Sequence, residues 1–421
     1  AYFMDSYNII VDQVMLTNIA MTDLGEIYDL LSWRLLIYIL IFTVIPCIFV
    51  FKIKIKKQHT LARLKKDVLF ILACTSGIFL LVFMSSKFYA SFFREHKEIR
   101  YKVNPVHGIY SAAKIITSKL KSQNHHFEQI GLDAKIPDSD KARDLVILVL
   151  GETARSDRFS LNGYDKKTNP LLEQENIVSF TNMFSCGTST AYSVPCMFGL
   201  GGSDKFEHER VKSMDNVLDV LSHTSDVNIL WRDNNSDSKG VALRVKYEDY
   251  KSSRTNTICD EECRDEGMLV GLQAHINSVK EKDILIVLHQ MGSHGPSYYR
   301  RYPKQFEKYV PTCNTNELEQ CSFEEINNTY DNTILYTDYF LHKVIQLLKI
   351  NSDKFETAMF YISDHGESLG ENGIYLHSLP NLIAPQEQKH IPAIMWFGGV
   401  MKDEINIKSL RKSKAKIYTQ D

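Results

Sequence analysis

The chain has 421 residues, 24% charged and 44% hydrophobic, with a formal net charge of −2. At roughly 100–200 residues per domain this length holds two or three domains, and the near-neutral balance excludes the strongly basic surface that nucleic-acid binding requires. The sequence opens at Ala1 with no signal peptide, so a fragment of a longer protein is expected.

Residues 1–32 mix polar and apolar side chains. Two runs without charge follow, LLIYILIFTVIPCIFVF at 35–51 and VLFILACTSGIFLLVFMSS at 68–86. Each approaches the roughly 17–25 residues of a membrane-spanning helix; a buried core helix is the alternative. The connector carries Lys52, Lys54, Lys56, Lys57, Arg63, Lys65 and Lys66 against one acid, Asp67. A short loop this basic belongs in the cytoplasm, so both flanks are expected on the outer side of the membrane. Residues 86–143 mix Phe88, Tyr89, Phe92 and Phe93 with basic residues, which suits a helix on a membrane surface or a plain connector. GLDAKIPDSD at 131–140 has linker composition.

From Asp144 the pattern changes. Apolar runs at 145–150, 227–231, 284–288 and 358–362 predict buried strands alternating with helices. That is the signature of an α/β domain whose largely parallel sheet is covered on both faces. The expected division is therefore 1–95, a partial helical transmembrane domain; 96–143, a linker with interfacial helices; and 144–421, a catalytic domain outside the membrane. Of eight cysteines, Cys47 and Cys74 lie in the apolar runs. The rest fall in close pairs: Cys186 and Cys196, Cys259 and Cys263, Cys313 and Cys321. Such pairs in an exported domain suggest disulfides; zinc-binding thiolates are the alternative, although no C-x-x-C pair is present.

Ligands of open α/β sheets bind beyond the carboxyl ends of the strands. The first run is followed by GETAR (151–155), the second by RDNNSDSKG (232–240), the third by HQMGSHGP (289–296) and the fourth by SDHGE (363–367), with His377 beyond. Three strand ends thus deliver carboxylates and imidazoles to one sheet edge and a fourth delivers amides and a lysine; the adjacent Asp364 and His365 can offer an oxygen and a nitrogen to one metal, a donor pair that suits zinc. SCGTSTAYSVPC (185–196) supplies hydroxyls inside a close cysteine pair. It reads either as a Ser/Thr-rich turn capping a helix or as a nucleophile activated by a neighbouring metal and a helix N-terminus.

GETAR with FSLNGY (159–164), the Cys186–Cys196 loop, NNSDSKG (234–240), GSHGP (292–296), and SDHGE with His377 resemble, in order, the phosphoethanolamine–lipid A transferases. That group includes the mobile colistin-resistance enzymes. Asn18, Thr22 and Glu26 look like that family's outer loop. The resemblance implies an alkaline-phosphatase-like catalytic domain at the bacterial inner membrane, facing the periplasm. It implies a tightly held zinc on Glu152, Thr190, Asp364 and His365, with Thr190 as nucleophile. It gives Asn235, Lys239, His294 and His377 to the phosphoethanolamine group, and makes His289 a candidate for a second metal. The expected reaction moves phosphoethanolamine from phosphatidylethanolamine through Thr190 to a lipid A phosphate. The product carries less negative charge, which disfavours polymyxin binding, and a monomer is expected. The family has more spans than the two visible here, and continues past the C-terminal IYTQD into another helix.

The rivals are a related transferase acting on core sugar, periplasmic glucan or surface protein, a superfamily phosphatase or sulfatase, and a membrane-anchored binding protein. A sulfatase would carry Cys/Ser-x-Pro-x-Arg, which VPCM (194–197) does not match.

Overall fold

The computed structural model describes residues 2–421 except 23, 55–59, 87, 88, 90, 91, 93, 94, 97, 98, 123–125, 138, 141 and 203–210, and omits the side chains of 24, 26, 60–62 and 119–122. Lys56, Lys57, Phe88 and Phe93 lie outside the described residues, and the side chain of Glu26 is not described. The chain divides into two compact units, Ser32–Gly108 with the first two residues, and Phe3–Leu31 with Ile109–Asp421.

The first unit holds two helices long and apolar enough to cross a membrane, Trp33–Lys52 and Arg63–Met84, with none of their apolar windows buried. At about 1.5 Å per residue, helices of 20 and 22 residues reach roughly the 30 Å of a bilayer core. Ser32 starts the first by accepting a hydrogen bond from Leu35 N at 3.1 Å. A π turn, Leu40–Val44, precedes Pro46. The wider turn accommodates a residue that has no N–H and whose ring presses on the preceding turn. Arg63, Lys65 and Lys66, read as connector, continue the second helix, which runs Thr60–Met84. The helix Val106–Ser122 lies in the stretch read as interfacial or connecting.

The second unit is built on an eight-stranded sheet: β1 (Asp144–Gly151), β2 (Ile177–Phe184), β3 (Val227–Asp233), β4 (Lys246–Asp249), β5 (Asp283–His289), β6 (Glu356–Ser363), β9 (His390–Gly398) and β10 (Tyr418–Thr419), with β7 (Ser368–Leu369) and β8 (Tyr375–Leu376) forming a separate ribbon. The order is β10-β2-β9-β6-β1-β5-β3-β4, and β9 alone among the described strands runs against the rest. The four predicted runs are β1, β3, β5 and β6, the sheet's centre. Leu145, Ile147, Val149, Ile286 and Val287 are fully buried, as continuous apolar strands in a sheet covered on both faces must be. β9 carries Pro392 between two neighbours, where a missing N–H would break the ladder. The register slips between Phe180 and Met183 of β2 at that point, and the bulge takes up the proline. The 29-residue helix Phe323–Asn351 packs on β6, and Ser322 and Glu325 cap its start reciprocally.

The segment Phe3–Leu31 belongs to this unit. Tyr7 Oη donates to Asn316 O at 3.1 Å, and Asp29 pairs with Arg300 at 2.9 Å and with Arg301. The cysteines form three disulfides, Cys186–Cys196, Cys259–Cys263 and Cys313–Cys321.

Candidate active site

The sheet register decides which side chains meet. Leu150 lies beside His289, Gly151 beside Ser363, and Asp233 beside His289. The carboxyl ends of β6, β1, β5 and β3 are therefore level, and the residues that follow each one share an edge. Asp364 N donates to Gly151 O at 2.9 Å, which carries the sheet ladder one step into the site. Thr153 then turns the chain at φ 50°, a left-handed conformation that costs a β-branched residue energy. Tyr330 holds that turn: its hydroxyl donates to Thr153 O at 2.6 Å and accepts from Arg155 N at 3.0 Å. Gly292, at φ 52°, passes so close that a Cβ would stand 2.8 Å from Glu152 O.

Glu152, Asp364 and His365 are buried, with one ligand atom from each lying within 4.8 Å of the others; they are the group of this kind among the described residues. Asp364 Oδ1 accepts from Thr153 N at 3.1 Å and His365 N at 2.7 Å, while Asp364 Oδ2 accepts no hydrogen bond. His365 Nδ1 stands 2.8 Å from Gly366 O, a contact that requires the proton on Nδ1. The Nε2 lone pair then faces Glu152 Oε1 at 3.4 Å and Asp364 Oδ2 at 3.3 Å. Burial holds the His365 imidazole below its ordinary pKa, against the opposing pull of Asp364. A neutral imidazole and two carboxylates, one with an oxygen left open, are the donor set a divalent metal takes.

Thr190 completes the group. It opens the helix Thr190–Phe198. Its hydroxyl donates to Glu152 Oε2 at 3.0 Å and lies 3.3 Å from His365 Nε2. Asn235 comes to the same carboxylate: its Nδ2 donates to Glu152 Oε2 at 2.7 Å and Gln290 O at 2.9 Å. Its Oδ1 accepts from Ser236. The carboxamide read as a substrate contact is thus engaged at both ends and buttresses Glu152. Lys239, buried at φ 51°, donates to Ser236 Oγ.

His289 does not join this group. Its Nδ1 pairs with Asp233 Oδ2 at 2.9 Å, and the ring packs edge-on against Trp231 in the core. Its other ring nitrogen, Nε2, is buried without a hydrogen-bond partner, and the histidine stands apart from the Glu152 group. The reason is register: His289 is still in β5 and hydrogen-bonded beside Asp233, whereas the other site residues lie beyond their strands.

His294 and His377 approach each other, with ring centroids 5.6 Å apart, and His377 is 4.4 Å from His365. Burial, reinforced by His377, keeps His294 well below the ordinary histidine pKa. Glu367 holds His377 Nδ1 at 3.2 Å, and burial pushes that carboxyl well above its ordinary range. Glu367 stood in the SDHGE motif, but no spacing rule pointed it at a histidine ten residues on. His294 and His377 also line a cleft of about 70 Å³ with Pro296 and, from the N-terminal segment, Met15, Asn18 and Thr22. Asn18 Nδ2 lies 3.4 Å from Ser378 Oγ.

An open α/β sheet presenting two carboxylates, an imidazole and a hydroxyl at its carboxyl edge has the groups of a metal-assisted hydrolase or group-transfer site. Residues 144–421 match the family model described as sulfatase, and residues 1–120 match that of phosphoethanolamine transferase EptA/EptB. The chain is 44% identical to phosphatidylethanolamine transferase Mcr-1 of Escherichia coli over 94% of its length and 75% of the relative's. It is 39% identical to phosphoethanolamine transferase EptA of Escherichia coli strain K12 over 100% of its length and 78% of the relative's. Among solved structures, the integral membrane lipooligosaccharide phosphoethanolamine transferase A of Neisseria meningitidis superposes with a TM-score of 0.93 at 33% identity, covering 100% of this chain and 79% of that one. The chain belongs to the phosphoethanolamine transferase family within the alkaline phosphatase and sulfatase superfamily. It is a membrane protein with a globular catalytic-type domain outside the spans.

Proposed function

We propose that this chain transfers phosphoethanolamine from phosphatidylethanolamine to a phosphate of lipid A, through a covalent adduct on Thr190. The observation that carries this is the Thr190 hydroxyl, 3.0 Å from Glu152 and 3.3 Å from His365, at the mouth of a buried metal-type donor set. The names of two relatives support a phosphatidylethanolamine donor and a lipid A-type acceptor: one is a phosphatidylethanolamine transferase, another a Kdo(2)-lipid A phosphoethanolamine 7''-transferase.

Glu152, Asp364 and His365 would hold one zinc with Thr190 as the fourth donor, and the open Asp364 Oδ2 and the His365 Nε2 lone pair fit that role. Bound there, zinc would lower the pKa of the Thr190 hydroxyl and offset charge on the transferring phosphoryl group. The rest follows from the side chains. Glu152 Oε2 is the acceptor towards which the Thr190 proton points. Thr190 Oγ attacks phosphorus in line, the bond to the diacylglycerol oxygen breaks, and His377, fixed at Nδ1 by Glu367, supplies that oxygen's proton. Lys239 and His294 face the phosphoethanolamine group. Asn235 acts through Glu152. A lipid A phosphate oxygen then attacks the adduct and gives its proton to His377, the bond between phosphorus and Thr190 Oγ breaks, and Glu152 returns the proton to Thr190. Dipoles and charges fixed in advance around the phosphoryl group supply most of the rate in such a transfer.

The catalytic domain, residues 144–421, faces the periplasm. The basic side chains after Trp33–Lys52 favour a cytoplasmic connector, and three disulfides persist only in an oxidising compartment. Mass spectrometry of lipid A from cells expressing the chain tests the reading. Added phosphoethanolamine is expected, and unmodified lipid A beside folded, zinc-loaded protein would refute it.

A further inference from the structure

Three chain segments must meet to within a few tenths of an ångström for Thr190 to work. Two of them are locked by the sheet. Glu152 follows β1 and Asp364 follows β6, adjacent strands in continuous register up to Gly151 and Ser363. The third is not. Thr190 follows β2, and β9 separates β2 from β6. The loop of Thr190 therefore needs another attachment to the Asp364 turn.

That attachment is a side chain from the end of the sheet. Gln420 follows β10, the strand outside β2, and its backbone N–H donates to Phe184 O at 3.1 Å. Its carboxamide reaches across the gap. Nε2 donates to Ser363 O at 2.6 Å and to Asp364 O at 2.9 Å, while Oε1 accepts from Cys186 N at 2.7 Å. Cys186 is disulfide-bonded to Cys196, on the helix that Thr190 opens. One planar group thus ties the metal-ligand turn to the loop of the hydroxyl, and it uses both hydrogens of its nitrogen and its oxygen to do so.

We propose that Gln420 is a positioning residue for the transfer reaction, its carboxamide setting the distance between Thr190 and the Asp364–His365 turn. The proposal rests on Thr190 carrying the transferred group. The chemistry demands two donors on one atom and an acceptor on the other, at glutamine's reach. Glutamate has the same shape but turns an oxygen towards two carbonyl oxygens. Methionine has similar length and offers no such bonds. An outer support of this kind is worth about 10- to 100-fold in metal affinity or activity, and a displacement of about 1 Å costs on the order of 100-fold in rate.

The test compares wild type, Gln420→Glu, Gln420→Met and Thr190→Ala in the full chain, each checked for folding by near-UV circular dichroism. Phosphatidylethanolamine turnover gives kcat and KM, and a competitive chelator titration gives zinc affinity. Both Gln420 variants are expected to lose about 10- to 100-fold in kcat, with KM for the lipid near the wild-type value and zinc held more weakly. A folded Gln420→Glu protein with wild-type kcat and zinc affinity overturns the proposal. So does a loss that only follows the fraction of folded protein. If Thr190→Ala stays active, the transfer reading itself fails, and unchanged zinc affinity in the Gln420 variants then separately removes the bridge.

Discussion

Replacing Tyr330 with phenylalanine removes one oxygen from a buried position and tests how the turn after β1 is held. The hydroxyl serves two backbone groups, donating to Thr153 O at 2.6 Å and accepting from Arg155 N at 3.0 Å, and the side chain has no exposure. Each buried backbone group left without its partner costs about 1–3 kcal/mol, so the substitution costs about 2–6 kcal/mol. Urea denaturation followed by near-UV circular dichroism should show the midpoint falling by about 0.5 M or more, given an m-value at or above the upper end of the roughly 1–3 kcal/mol per molar of small proteins. Activity should fall as well, because Thr153 holds a left-handed conformation beside the Glu152 carboxylate. A loss below about 0.5 kcal/mol, within the range of an ordinary surface substitution, would refute the claim that this hydroxyl holds the turn.

Other consequences concern the metal group and the far end of the sheet. Asn235→Leu removes the donor 2.7 Å from Glu152 Oε2, and zinc affinity by chelator competition should weaken about 10- to 100-fold. Chelation followed by dialysis should abolish turnover, and zinc rather than magnesium should restore it, since magnesium prefers an all-oxygen octahedral shell. Asp144 sits at the opposite edge, where partial burial and then Asp283, Asp140 and Glu356 push its pKa up to about 6. A raised carboxyl pKa contributes stability that is present in full below the unfolded value of 3.8 and lost as pH rises through about 6. Asp144→Asn should therefore stabilise the protein at pH 7.5 by up to about 1 kcal/mol after solvent screening, and change little at pH 4. Thermal melts at the two pH values would show it, and equal shifts at both would contradict the repulsion.

The centre of the fold was legible because β1, β3, β5 and β6 are buried on both faces and read as unbroken apolar runs. β2 and β9 were not. Ser179, Thr181 and Asn182 interrupt the first, and Pro392 interrupts the second, which is tolerated only because β2 bulges opposite it. Glu152, Asp364 and His365 drew notice because they lie within three residues of a predicted strand's end, where the edge of a parallel sheet gathers side chains, and the resemblance joined them as one ligand set. Thr190 needed the family resemblance: its loop has the composition of an ordinary helix cap. His289 followed an apolar run as the others did, but lies inside β5, where its Nδ1 pairs with Asp233. Gln420 and Tyr330 gave no signal, because their partners are backbone groups far away in the chain.

Whether Thr190 carries the transferred group can be measured on the protein itself. The wild-type chain and Thr190→Ala are incubated with phosphatidylethanolamine without acceptor, then measured by intact mass and by peptide mapping of residues 185–196. A phosphoethanolamine adduct on Thr190 is expected in the wild type, discharged when lipid A is added, and no adduct in the variant. An adduct on another residue, or a Thr190→Ala protein that modifies lipid A at the wild-type rate, would contradict it.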